Sequence, residues 1–82
     1  KYPLDYAFKA MCKSREDVAA ESLVAGIVGQ VLDEHRIKAS RATESRTGKF
    51  TAVTITLEIR DRTELERVYQ AMADSKHIVM TL

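Results

Sequence analysis

An 82-residue chain with a net charge of +1 and 45% hydrophobic residues specifies one small domain, residues 1–82, too small to enclose a deep pocket beside its core. The balanced charge excludes a chain drawn as a whole to nucleic acid, and the single Cys12 excludes an intrachain disulfide framework and fits a reducing cytoplasm. No apolar run approaches the roughly 18–20 residues of a membrane span, so no membrane partner is expected, and the opening Lys1 in place of Met points to a preceding segment in which a targeting signal could lie.

Six elements follow in chain order. Leu4, Tyr6, Phe8, Ala10 and Cys12 alternate with Asp5, Ala7, Lys9 and Met11, the period-2 pattern of a half-buried strand. Ser14 and Asp17 have the spacing of a capping box, which predicts a helix from about Arg15 to His35. Its core stripe is Ala20, Val24, Ile27 and Val31, flanked by Leu23 and Val28, and its last residues His35 and Arg36 suit the negative end of the helix dipole. A polar strand from Ile37 to Arg46 leads through the Thr47-Gly48 turn into the most apolar strand, where Val53, Ile55, Leu57 and Ile59 share one face. Asp61 and Thr63 are alternative caps for a second helix with the stripe Leu65, Val68, Tyr69 and Met72, and His77 to Leu82 forms a last strand with Ile78, Met80 and Leu82 on one face. The order β-α-β-β-α-β buries both helices only on one face of an antiparallel sheet. The expected fold is therefore α+β and ferredoxin-like, with strand order 4-1-3-2 and the polar second strand at an edge.

Catalytic chemistry is hard to find in this sequence. His35 and His77 are the only imidazoles, and neither has a Cys, Asp or Glu at ligand spacing on its own face, so no metal site, no cofactor and no catalytic residue is expected. Cys12 shares the parity of Tyr6 and Phe8, which predicts a buried thiol. Gly48-Lys49 lacks the first glycine of a phosphate loop, since position 43 is Thr43. Gly26-Ile27-Val28-Gly29 has the spacing of an RNA-clamping loop but sits inside an apolar helical stripe. The sheet face opposite the helices carries Asp5, Ala7, Lys9, Met11, Ala52, Thr54 and Thr56 with Phe50 as its one aromatic, which is no platform for stacked bases and argues against nucleic acid.

Two surfaces remain. Residues 36–49 hold five cations against Glu44 alone, a net of +4 in a chain whose total is +1. Lys38, Arg41, Arg46 and Lys49 are the candidate contacts for an anion or an acidic partner, although charge on an edge strand serves first to keep it soluble. On the outer side of the first helix, Ala19, Ser22, Gly26 and Gly29 form a small-residue stripe. Two interior glycines cost about 1 kcal/mol each relative to alanine, so the stripe is either a docking surface open to close backbone approach or tolerated drift.

From Tyr2-Pro3 through Phe8-Lys9-Ala10-Met11 to the end, the chain resembles a bacterial family known after its YbeD member, a domain of unknown function. The resemblance is carried by Ser45-Arg46-Thr47-Gly48-Lys49-Phe50 running into Val53-Thr54-Ile55-Thr56, by Tyr69, and by Ile78-Val79-Met80-Thr81-Leu82. It implies a ferredoxin-like fold similar to ACT regulatory domains, and a regulatory role suggested by genes of the family lying near those of lipoate attachment. It brings no catalytic residues. ACT ligand sites use a glycine-containing loop after the first strand, where this chain has Cys12-Lys13-Ser14-Arg15. The first expectation is thus a non-enzymatic regulatory or interaction domain docking a protein partner or a second copy. A small-ligand sensor of ACT type is the second, nucleic-acid or anion binding through the basic hairpin the third, and an enzyme the last.

Overall fold

The computed structural model describes residues 1–81. Its elements are β1 (Leu4–Lys13), α1 (Ala20–Gly29), a 3-10 turn (Glu34–Arg36), β2 (Ile37–Glu44), β3 (Phe50–Ile59), α2 (Arg62–Asp74) and β4 (Ile78–Thr81). The strands form one antiparallel sheet in the order β2-β3-β1-β4, the ferredoxin-like arrangement expected from the element order. β1 and β3 pair over their whole length, Leu4 opposite Ile59 and Lys13 opposite Phe50. This long central ladder sets which side chains share a face.

The core follows the strand alternation. Phe8, Ala10 and Cys12 of β1 and Val53, Ile55, Leu57 and Ile59 of β3 are buried against Val24 and Val28 of α1 and Val68 and Met72 of α2. Burial of each large apolar side chain contributes about 1.5–3 kcal/mol. Tyr6, Phe8 and Tyr69 make an aromatic cluster with ring centroids 4.7–6.1 Å apart, and the two tyrosine hydroxyls share a 2.7 Å hydrogen bond. α2 begins where expected, the Asp61 carboxylate accepting the Glu64 N–H at 2.9 Å. Gly48 takes φ +75° in the β2–β3 turn, a conformation that favours glycine.

Two elements differ from the sequence expectation. α1 spans Ala20–Gly29 and not Arg15 to His35, and its N-cap Ala19 makes no side-chain cap. The supposed capping box is used otherwise. The Ser14 hydroxyl bonds the Thr51 hydroxyl at 2.7 Å and its N–H donates to the Lys49 carbonyl at 2.9 Å, so Ser14 prolongs the sheet. Asp17 is held by Arg15. At the far end the chain turns after Gly29 and places Leu32 in the core, and the Asp33 carboxylate caps the 3-10 turn through the His35 N–H at 2.9 Å. His35 and Arg36 therefore belong to that turn and do not end α1.

β4 differs in its register. Ala10 pairs with Thr81 and Met11 with Met80, but Cys12 pairs with Ile78, so Val79 is an extra residue in the ladder. The bulge reverses the parity. Ile78 packs against the core while Met80 lies opposite Met11 on the uncovered face, 49% exposed. Ile78 and Met80 thus occupy opposite faces, and Leu82 lies outside the described residues.

Candidate functional site

Both helices pack on one face of the sheet, and the other face is uncovered. Strand pairing sorts its side chains into cross-strand rows. Lys9 of β1 stands opposite Thr54 of β3, which stands opposite Arg41 of β2. On one side of this row lie Ala7, Thr56 and Ala39. On the other lie Met80, Met11, Ala52 and Thr43, followed by Lys13 opposite Phe50. Small side chains in the middle leave a shallow depression of about 370 Å³ that reaches from Ala7 to Arg41.

Charge divides this face. Asp5 and Glu58 are paired directly at one end, and Arg60 offsets Glu58 at 3.6 Å. From the middle onward the charged groups are Lys9, Arg41 and Lys13, none of which joins an ion pair among the described residues. Uncompensated cations over a flat surface create a positive potential that an anionic surface can meet.

The basic hairpin is less of a unit than its sequence suggests. Arg36, counted in its charge, is 8% exposed and forks onto the Glu64 carboxylate of α2. It also donates to the Glu58 carbonyl at 3.3 Å, so it is a structural tie. Lys38 is exposed at the irregular start of β2, where the pairing shifts between Ile37 and Ala39. Arg46 and Lys49 are exposed in the turn beyond the other end of the strand, roughly 20 Å away at the usual rise per strand residue. Only Arg41 lies on the uncovered face between them, and the structure joins it to Lys9 of another strand.

The helix stripe lies on the opposite side of the molecule. Ala19, Ser22, Gly26 and Gly29 are all exposed. A Cβ at Gly29 would stand 2.9 Å from the Glu34 carboxylate, so this glycine has an intrachain neighbour, whereas at Gly26 nothing lies within 4 Å. The stripe is a small-residue surface with open space over one position.

The reactive groups sit where their chemistry is quiet. Cys12 is fully buried, and burial pushes its thiol above the usual value. His35 bonds the Asp33 carboxylate through Nδ1 at 2.8 Å, and hydrogen bonds from His35, first its backbone N–H, hold Asp33 below the usual carboxylate range. The Arg15 hydrogen bond lowers Asp17 in the same way. Tyr69 is pushed up to about 12, chiefly by its hydrogen bond with Tyr6 and then by burial. Among the described residues no three His, Cys, Asp or Glu side chains gather as metal ligands, and no helix is long and apolar enough to cross a membrane.

On the uncovered face, Lys9 and Lys13 are the cations that sequence reasoning left out of the candidate set. The alternation of β1 assigns both to the face opposite Phe8 and Cys12, so parity carried that signal. Their nearness to Arg41 depends on the β1–β3–β2 register, which no local pattern contains.

Known proteins share this layout. A solution structure of protein HP0495 from H. pylori superposes with a TM-score of 0.73 at 15% identity, covering 100% of this chain and 84% of that one. The C-terminal domain of the MgtC protein from Mycobacterium tuberculosis gives 0.67 at 15% identity over 100% of this chain and 87% of its own. At such identities the likeness concerns the fold alone. In sequence, the UPF0250 protein NE1487 of Nitrosomonas europaea is 29% identical over 82 residues, all of this chain and 92% of the relative. This agrees with the YbeD-like resemblance read from the hairpin and the C-terminal strand. Because the model of the family described as "Protein of unknown function (DUF493)" matches residues 1–82, the whole chain, the protein belongs to that family.

Proposed function

We propose that this domain is a non-enzymatic interaction module that docks an acidic partner protein on the uncovered face of its sheet. The observation that carries this is the Lys9–Thr54–Arg41 row. Two cations without counter-charges flank a floor of Ala and Thr side chains that lets a flat surface approach closely. Opposite potentials would steer the encounter and fix its register, and the Asp5–Glu58 end would disfavour a reversed orientation. The regulatory role near lipoate attachment implied by the family resemblance, and residence in a reducing cytoplasm, belong to the same proposal. Among the described residues Phe50 is the one aromatic side chain on the strands of this face, which supports a protein partner over a single-stranded nucleic acid.

The test is affinity capture from the native lysate with wild type, Lys9→Glu/Arg41→Glu and Gly26→Leu. The proposal expects capture of a specific partner to fail with the double charge reversal, to weaken with added salt, and to survive Gly26→Leu. Capture that survives the reversal but fails with Gly26→Leu would move docking to α1. A shift of labelled RNA at low salt that the reversal abolishes would replace the protein partner with nucleic acid.

A further inference from the structure

The end of β1 and the turn before β4 enclose a cleft of about 290 Å³. Its charged lining comes from segments more than sixty positions apart: Lys13 and Arg15 where the chain leaves β1, and Lys76 and His77 between α2 and β4. Leu23 and Val79 supply an apolar wall, and no carboxylate lines the space. Lys13 and Lys76 join no ion pair among the described residues. The His77 backbone N–H is bonded to the Ser75 hydroxyl at 3.2 Å, while its imidazole has no hydrogen-bond partner among the described residues. Arg15 is the exception, fastened to Asp17 by bonds of 2.9 and 2.6 Å.

Gathering like charges around a concavity costs free energy until an anion enters. The volume of about 290 Å³ lies just below the range of drug-sized ligand sites, about 300 to 1,000 Å³, and suits only a small ligand. We infer that this cleft binds a small organic anion, an oxyanion head meeting Lys13, Lys76 and His77 and a short apolar stem lying against Leu23 and Val79. Lys13 is shared with the uncovered face, whereas Lys76 and His77 lie outside the Lys9–Thr54–Arg41 row, so Lys76→Ala tests this site apart from docking on the sheet.

The experiment is an NMR titration of the ¹⁵N-labelled chain at constant ionic strength with inorganic phosphate in one arm and citrate in the other, chloride serving as the control. Saturable shifts centred on Ser14, Arg15, Lys76 and His77 are expected. The arm that saturates at lower concentration identifies the head as phosphate or carboxylate. Lys76→Ala, an exposed turn substitution, should weaken binding about tenfold, and Arg41→Ala should leave it unchanged. Shifts that fail to saturate by about 10 mM, or that spread equally over Lys38, Arg41 and Arg46, would overturn the proposal.

Discussion

A Cβ at Gly26 would meet open space, inside a helix where alanine is the better former. Gly26→Ala should therefore stabilise the chain by up to about 1 kcal/mol, seen as a higher urea midpoint with an unchanged slope. Gly29→Ala should gain less, since the Glu34 carboxylate, 2.9 Å from the new atom, must swing aside. A second outcome concerns Tyr69. Its phenol is held neutral up to about pH 12, first by the Tyr6 hydrogen bond, while the unfolded phenol ionises near 10. Because the folded value is the higher one, this contribution to stability is complete below about pH 10 and is lost as pH rises through about 12. Ultraviolet absorbance against pH should show a late-titrating phenol, and Tyr6→Phe should bring it back toward the ordinary value.

Among the elements, the 3-10 turn and α2 are tied by one ion pair. Arg36 and Glu64 have side chains only 10% and 19% exposed, and Glu64 also accepts the Arg60 N–H at 2.8 Å. Glu64→Ala would strand the Arg36 guanidinium in a poorly solvated place, and a loss of about 3 kcal/mol is expected. Arg36→Met together with Glu64→Leu should recover most of it, because neither charge is then left buried. Chemical denaturation of the three proteins decides the matter, and a double variant no better than Glu64→Ala would show that the tie acts through its hydrogen bonds to the backbone. Arg36 also marks where the sequence stops being legible. β3 could be read residue by residue, since burial alternates along Thr51–Ile59 as its apolar pattern does, and Asp61 was legible as a cap because the contact is local. The ends of α1 were not. Ser14 is claimed by Thr51 and Arg36 by Glu64, partners 37 and 28 positions away. The same holds for β4, where a bulge set by pairing with Met11 and Cys12 overrides the alternation of Ile78, Val79 and Met80. In the candidate site, Arg41 was legible from charge, but its meeting with Lys9 needed the register.

On the scale of the whole molecule, one core serves both layers. Ile55 is 1% exposed at its centre, and Ile55→Ala should cost about 2–5 kcal/mol, a large share of the 5–15 kcal/mol typical of a folded domain. A much smaller loss in thermal or urea unfolding would mean that the two layers are not cooperatively joined. The uncovered face has no comparable stake in stability, so Lys9→Glu/Arg41→Glu should unfold close to wild type, separating docking from folding. The shortness of β4 has a further effect. β3 pairs with all of β1, whereas β4 reaches only Ala10 to Cys12, so among the described residues Leu4 to Lys9 are bonded to a strand on one side alone. In such a segment alternate N–H groups face away from the ladder. Amide hydrogen exchange should therefore run in a sawtooth along Leu4–Lys9, fast and slow residues in turn, even though one cooperative unfolding event governs the slowest of them. The amplitude of that sawtooth would report directly how much of the β1 edge a bound partner strand covers, with no need to know the partner's identity.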